Sequence, residues 1–404
     1  MVLILAIFAV ALLLVLSVGL SAAVRAELLA SRTSLERMQS LFLAEAGINQ
    51  ARAILLYEDL NVDTLEDPWA VEAEGSLDRP QSIGDAGYCR VRVYDACGRI
   101  DINAAGFDTL AQLTGDPAIA TAILDWRGQG TREGYYRTLP YPYLPRRGPF
   151  QSPGELLLVE GVTPDLYFGT PDKPGLVNMV TVISESLNTD ANGKRRIGLN
   201  EFRAWDEPSF QKMVADRVGE ALTMYDLEVI WRGLARLIES GQEGYTSLAQ
   251  LATVAGLSYD KIVRAVDHLT ADSSNLLRGR VNVNTAPVEV LAAMPGCSRQ
   301  LAETIVAQRG NQPFVSLSEA AELIYAGGGG LQAFELMIDH VTTKSSCFII
   351  ESMGYPQAGR GYRTLRALVR RTRQQVECLR QTEEDAPLPP PIIRVSSQPR
   401  YGRS

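Results

Sequence analysis

The 404-residue sequence predicts an α+β protein: a long N-terminal transmembrane and then amphipathic helix, an antiparallel sheet packed on its second half, and a large helical region. Three observations predict it. Residues 1–24 contain no charged side chain. The segment 98–115 recurs at 279–296. Alternating apolar and polar segments flank that repeated region on both sides.

The length suggests two or three packed units. Apolar residues make up 46% of the chain, enough for a soluble core, and the formal net charge is −8. A protein that coats nucleic acid draws most of its affinity from cations on phosphate, so the acidic balance counts against that class. The five cysteines show no C-x-x-C spacing, and His268 and His340 lie outside any H-E-x-x-H context. A zinc ribbon, a thioredoxin-like site and a zincin are therefore not indicated. Cys89 and Cys97 are near enough in sequence for a local disulfide, and two separate half-buried thiols fit them equally well.

The N-terminal run is MVLILAIFAVALLLVLSVGLSAAV. As a helix it spans about 36 Å, more than the ~30 Å of a hydrocarbon core. No basic region precedes it and no small-x-small cleavage site ends it, so it does not read as a signal peptide. The helix continues instead. From Arg25 to Tyr57 there is no proline and one glycine, Gly47, while Leu35, Met38, Leu41, Phe42, Ile48, Ala51 and Leu55 recur at helical spacing. Residues 1–57 therefore read as one stem helix whose second half supports a globular head.

The repeat organises the middle of the chain. GRIDINAAGFDTLAQLTG (98–115) answers GRVNVNTAPVEVLAAMPG (279–296), and AIATAILDWR (118–127) answers QLAETIVAQR (300–309). PFQSPGEL (149–156) answers PFVSLSEA (313–320), and LVNMVTVIS (176–184) answers MIDHVTTKS (337–345). Each copy, 98–184 and 279–345, reads as a short strand, an Asn that caps the next helix, and two short helices joined at Gly115 or at Pro295-Gly296. Between them, EVIWRGLARLIESG and LAQLATVAGLSYDKIVRAVDHL have the apolar stripes of core-facing helices.

The second copy resembles the helix-hairpin-helix of DNA-uptake proteins. DNA-binding versions carry a second hairpin glycine that lets backbone amides approach phosphate. Here the hairpins read TGDPA and PGCSR, with Asp116 where phosphate would sit and Arg299 and Arg309 as the nearby bases of the second. A structural role is expected for both pairs, and a membrane-tethered DNA receptor is the rival reading.

YCRVRVYD (88–95), CFIIESMGY and YRTLRALVRRTRQ alternate like strands, the last two around a Gly-rich turn. They are expected to form one antiparallel sheet on the stem. The Arg run from 366 to 373 is expected on a solvated edge. Residues 381–404, rich in proline, are expected to be a disordered tail.

NTDANGKRRIGLN places Asn188, Asp190 and Asn192 at positions one, three and five of a calcium-type loop, with Gly193 at six. Position twelve is Leu199 rather than an acid, though Glu201 is near, and an Asn/Gly-rich surface turn fits the same residues. The glycines at 327–330 lack Gly-Lys-Ser/Thr and no G-x-S-x-G exists, so neither a P-loop nor a serine nucleophile elbow is present. No catalytic constellation is expected, and the protein is read as non-enzymatic.

A membrane-embedded stem that turns amphipathic beneath a head is the type IV pilin-like layout. The segment AEAGINQARAILLYEDL…DTLEDPWA resembles the corresponding region of minor pseudopilin K of type II secretion systems. The resemblance implies a pseudopilin head formed by 58–97 and 346–380, interrupted by a helical (helix-hairpin-helix, SAM-like) insertion at 98–345. It implies calcium in the head, and no other cofactor. It implies an inner-membrane, single-pass location with the head in the periplasm, and assembly with minor pseudopilins I and J at the tip of the pseudopilus. Family members carry a basic leader that a peptidase removes; none stands before Met1, so the start is expected to be internal or the chain already processed. In the latter register Leu5 stands where major pseudopilins carry a glutamate. A tip subunit has no neighbour above it to pair such a buried carboxylate. A tip subunit of a type IV pilus shares these features.

Overall fold

The computed structural model describes residues 1–70, 77–130, 133–357 and 361–384. Helix α1 runs from Val2 to Tyr57 without a break, about 84 Å at the usual helical rise. No side chain before Glu36 is even partly buried. The expected apolar stripe of the second half divides into two faces. Leu35, Met38 and Phe42 remain exposed, Phe42 by 64%, whereas Ser40, Leu43, Ala44, Gly47, Ile48, Ala51 and Leu55 are buried. The buried face is small-residue rich because the helix lies very close to the sheet.

Five antiparallel strands form that sheet: β1 (Gln81–Ile83), β2 (Gly87–Asp95), β3 (Cys347–Pro356), β4 (Arg363–Arg371) and β5 (Val376–Glu384), in the spatial order β1-β2-β3-β4-β5. Strand β5 departs from expectation. The proline-rich segment was expected to be irregular from 381, but its first residues pair with β4, Thr364 opposite Glu384. The rest of the expected tail, 385–404, lies outside the described residues. With β5 in place, β4 is an inner strand, so its arginines are not on a solvated edge.

Two glycines let helix and sheet touch. A Cβ on Gly47 would lie 2.3 Å from Ser352 Oγ and 2.7 Å from Val91 Cγ2. A Cβ on Gly354 would lie 2.1 Å from the Ser40 carbonyl oxygen and 2.6 Å from the Ala44 nitrogen. Around this contact Ile48, Ala51 and Leu55 pack with Trp69, Val91, Val93, Phe348, Ile350 and Val369. Trp69 meets Phe348 edge-on at 5.2 Å. Cys89 and Cys97 are separate buried thiols, as are Cys297 and Cys347; Cys378 is an exposed one.

Between β2 and β3 the chain leaves the sheet and returns at the same end, where Ala96 N–H donates to the Cys347 carbonyl at 3.0 Å. The intervening residues have their own apolar core. They contain three repeat units, not the two legible in sequence. Each opens with a two-residue strand paired in parallel with a returning one: Ile100–Asp101 with Val180–Thr181, Ile197–Gly198 with Leu269–Thr270, and Val281–Asn282 with Val341–Thr342.

In each unit an Asn side chain clamps one distant backbone position from both sides. Asn103 accepts from Phe150 N–H and donates to Phe150 O at 2.7 and 3.0 Å. Asn200 does the same with Tyr245, at 2.8 and 2.9 Å, and Asn284 with Phe314, at 2.9 Å each. Just beyond the clamp a Glu or Gln three residues after a serine folds back onto backbone amides: Glu155, Gln250 and Glu319 accept from Gln151, Thr246 and Val315 N–H. Each unit supplies a helix pair. These are α2 (Phe107–Thr114) and α3 (Pro117–Trp126), α4 (Pro208–Val218) and α5 (Met224–Glu239), then α6 (Val288–Ala292) and α7 (Arg299–Asn311). A further helix, α8 (Gly330–Met337), packs on the third pair.

Candidate functional site

Three parts of the molecule bear on function: the stem, the seat of the repeat domain on the sheet, and the loop at 188–194. Among the described residues, α1 is the one helix long and apolar enough to cross a membrane. Beyond the membrane-length run, Leu28, Leu35 and Phe42 recur every seventh residue and are at least 58% exposed. At about 100° per residue they share one side of the helix, centred about 120° round from Leu43, Gly47 and Ala51. The stem thus shows one face to its own sheet and offers an apolar face away from it.

The repeat domain is seated by a buried polar network. Asp63, from the connection between α1 and the sheet, accepts two hydrogen bonds from Arg371 Nη2 at 2.6 and 2.7 Å, and neither side chain has exposed surface. Asp63 also accepts from Ser345 N–H at 2.7 Å. Asp95, at the end of β2, accepts from Thr285 Oγ1, Ser345 Oγ, Cys97 N–H and Asn282 Nδ2 at 2.6–3.0 Å. Burial pushes the Asp63 carboxyl up to about 7, although the Arg371 guanidinium pulls it down. Burial also raises Asp95, against four donors that favour its charge. Beside them, fully buried Glu185 pairs with Arg370 at 2.7 Å and Arg278 at 3.2 Å. Three of the four arginines of 366–373 are thus ion-paired: Arg366 lies against Glu351 and Glu384, Arg370 against Glu185, and Arg371 against Asp63, while Arg373, beyond β4, is exposed.

The calcium-type loop is brought together, but not as a ligand shell. Asn188 is buried and donates its amide to the carbonyls of Asp272 and Ser274, both at 2.8 Å. Asp190 Oδ1 accepts from the Asn192 and Lys194 amides at 3.0 and 2.9 Å. Its Oδ2 accepts from Arg217 Nη2 at 2.8 Å and faces His268 Nδ1 at 3.3 Å. Burial acts to raise this carboxyl, but the Lys194 amide, Arg217 and His268 hold it below the usual range. The Asn192 side chain is exposed, and Glu201 is paired with Arg195 at 2.7 Å. Calcium takes six to eight oxygens and tolerates no cation in that shell. Among the described residues, no group of three or more His, Cys, Asp and Glu is placed to hold a metal ion. The expected donor set Asn188, Asp190 and Asn192 therefore does not fit the ion.

Lys344 is what the sequence reading missed. Its Nζ donates to Thr189 O at 3.0 Å, Thr189 Oγ1 at 3.2 Å and Asp190 O at 2.9 Å, and the residue is 1% exposed. A signal existed. In the repeat alignment Lys344 stands opposite Ile183, so a charge replaces an apolar residue at one position of the returning strand.

Both expected hairpins are closed to phosphate. In the first, Asp116 Oδ1 takes the Ala118 amide at 2.7 Å. In the second, Ser298 Oγ takes the Leu301 amide at 3.1 Å, and a Cβ on Gly296 would lie 3.0–3.1 Å from Leu336 and Ala333 of α8. Arg309 is buried and donates to the Val283 and Ala286 carbonyls, as Arg127 does to Ile102 and Ala105. Arg299 pairs with Glu303. Arg127 and Arg309 are thus used inside the protein, Arg299 is held in a surface pair, and at the first hairpin an anionic ligand meets an aspartate.

Comparison with known proteins gives a family match and a structural similarity. Residues 281–335, the third repeat unit to within α8, match the family described as type II secretion system (T2SS), protein K. The fold is similar to that of a chain in the crystal structure of the GspK-GspI-GspJ complex from the enterotoxigenic Escherichia coli type 2 secretion system. The TM-score is 0.50 at 13% identity, covering 88% of this chain and all of that one. No curated protein matches the chain by sequence.

Proposed function

We propose that this chain is the K-type minor pseudopilin of a type II secretion system, anchored in the inner membrane with its head in the periplasm. One observation carries the reading: a bare apolar stem runs into a five-stranded sheet whose β2–β3 connection is a repeat domain bearing the protein K segment at 281–335.

The work of such a protein is binding. Its stem is held first by lipid, then by neighbouring stems, to which Leu28, Leu35 and Phe42 offer an apolar face. Partners of the I and J type, present with K in the similar complex, are the subunits it would join. The repeat domain gives the head its bulk and obstructs addition of a subunit above it, which makes this a tip subunit that starts the fibre. Closed hairpins and a net charge of −8 favour this over a DNA receptor.

Replacing residues 98–345 by a short linker in a secreting bacterium tests the capping role. Fibres should lengthen and export should fall while the shortened protein still reaches the membrane. Unchanged fibre lengths would remove the steric role. Failure of the full chain to co-purify with I- and J-type pseudopilins would remove the assignment itself.

A further inference from the structure

The 188–194 loop lies where the second unit, the third unit and the sheet meet, and a cationic side chain reaches it from each. Lys344 comes from the returning strand of the third repeat unit and holds Thr189 O, Thr189 Oγ1 and Asp190 O. Arg217 comes from the end of α4 in the second unit and holds Asp190 Oδ2. Arg373, between β4 and β5, donates to Gly193 O at 2.7 Å. The Ala191 N–H donates to Asp267 Oδ2 at 2.8 Å.

Two backbone carbonyls and a hydroxyl converging on one point are the ligands a hard cation collects from a loop. Here that point is filled by an ammonium group. We propose that Lys344 is the cation that orders this loop, so that the junction of repeat domain and sheet is built without a divalent ion. The chain supplies its own charge at the loop whose residue spacing suggested a metal.

The substitution has a physical logic. An ammonium is tethered, so no ion need be captured from solution. Its three N–H donors match the three oxygens presented. Burial lowers the Lys344 ammonium to about 8, above neutral pH, so the charge is retained there. With Arg217 and His268 on the same Asp190 carboxylate, a second cation would meet repulsion and no free carboxylate oxygen.

The test uses the full chain in detergent micelles. Thermal melting and amide exchange at 188–194 are measured as purified, with excess EDTA, and with added calcium chloride, alongside elemental analysis of the purified protein. Chelator and calcium should both leave the melt and the exchange unchanged. Lys344→Met should speed exchange in the loop about tenfold or more, with or without calcium. A fall in Tm with EDTA, or calcium co-purifying one to one, would overturn the proposal. So would unchanged exchange in Lys344→Met. Should that variant fail to fold, the chelator arm on the unaltered protein still decides.

Discussion

Asp63 and Arg371 are 308 residues apart in the chain, yet they share two hydrogen bonds and no exposed surface. Removing one partner of such a pair leaves a charge in the interior and typically costs about 3–5 kcal/mol. Arg371→Met should therefore destabilise the head by that order in chemical denaturation. The double variant Asp63→Leu with Arg371→Met should recover part of the loss, because no charge is then stranded.

The same pair sets a pH dependence. The folded Asp63 carboxyl is raised from 3.8 to about 7, so the folded state binds its proton more tightly than the unfolded chain. Its contribution is full below 3.8 and is lost as pH rises through 7. Asp63→Asn has no proton to lose. Wild type minus Asp63→Asn stability should thus be larger at pH 5 than at pH 8, as read from denaturation midpoints at the two values.

Gly47 and Gly354 give a comparison of opposing effects. Alanine in place of a helical glycine normally stabilises by about 1 kcal/mol. At Gly47 the new methyl meets the Ser352 hydroxyl and Val91, side chains that can yield a little. At Gly354 it meets the backbone of α1 at Ser40 and Ala44, which cannot yield without moving the helix. Gly354→Ala should destabilise by about 2 kcal/mol or more, and Gly47→Ala by clearly less, in thermal melts of the two variants.

Each Asn clamp satisfies a backbone N–H and a backbone C=O at once. Alanine at Asn103, Asn200 or Asn284 should destabilise by about 1–3 kcal/mol. Asn284, the only fully buried one of the three, should show the largest effect. Denaturant titration of the three variants checks both the size and the order.

Closed hairpins predict the behaviour toward nucleic acid. Fluorescence anisotropy of labelled duplex DNA with the full chain should show no salt-dependent binding, even at low ionic strength.

The stem, the sheet and two of the three repeats were legible because they rest on local chemistry: charge-free length, alternation, and a strand ending in Asn before each helix pair. That Asn does not cap the helix as expected: the N-caps are Gly106 and Pro287, and the Asn side chain holds a distant backbone position instead. The middle repeat was harder to see. Its opening strand, Arg196-Ile-Gly-Leu-Asn200, keeps the pattern of Arg99-Ile-Asp-Ile-Asn103 and Arg280-Val-Asn-Val-Asn284, but its helices are longer and the Gly-centred hairpin is replaced by Gly219–Leu222. Pairing the opening motif with the later aromatic-x-Ser-x-x-Glu/Gln motif would have found it. The calcium-type loop misled for a different reason. Its own residues carry the expected spacing, while the groups that decide what it binds, Lys344 and Arg217, lie far away in sequence.

Ser345 and Asp95, 250 residues apart, are joined through one hydrogen bond at the foot of β2 and β3. Seen from the sheet, the whole repeat domain is therefore equivalent to a tight turn. Strand pairing of such long range is slow to form unless something first brings the ends together. Here the three units can each close on local contacts, and their closure delivers β3 beside β2. Lineages could also gain or lose a unit without shifting the register of a single strand, so the head can vary in size while the stem and its packing stay fixed.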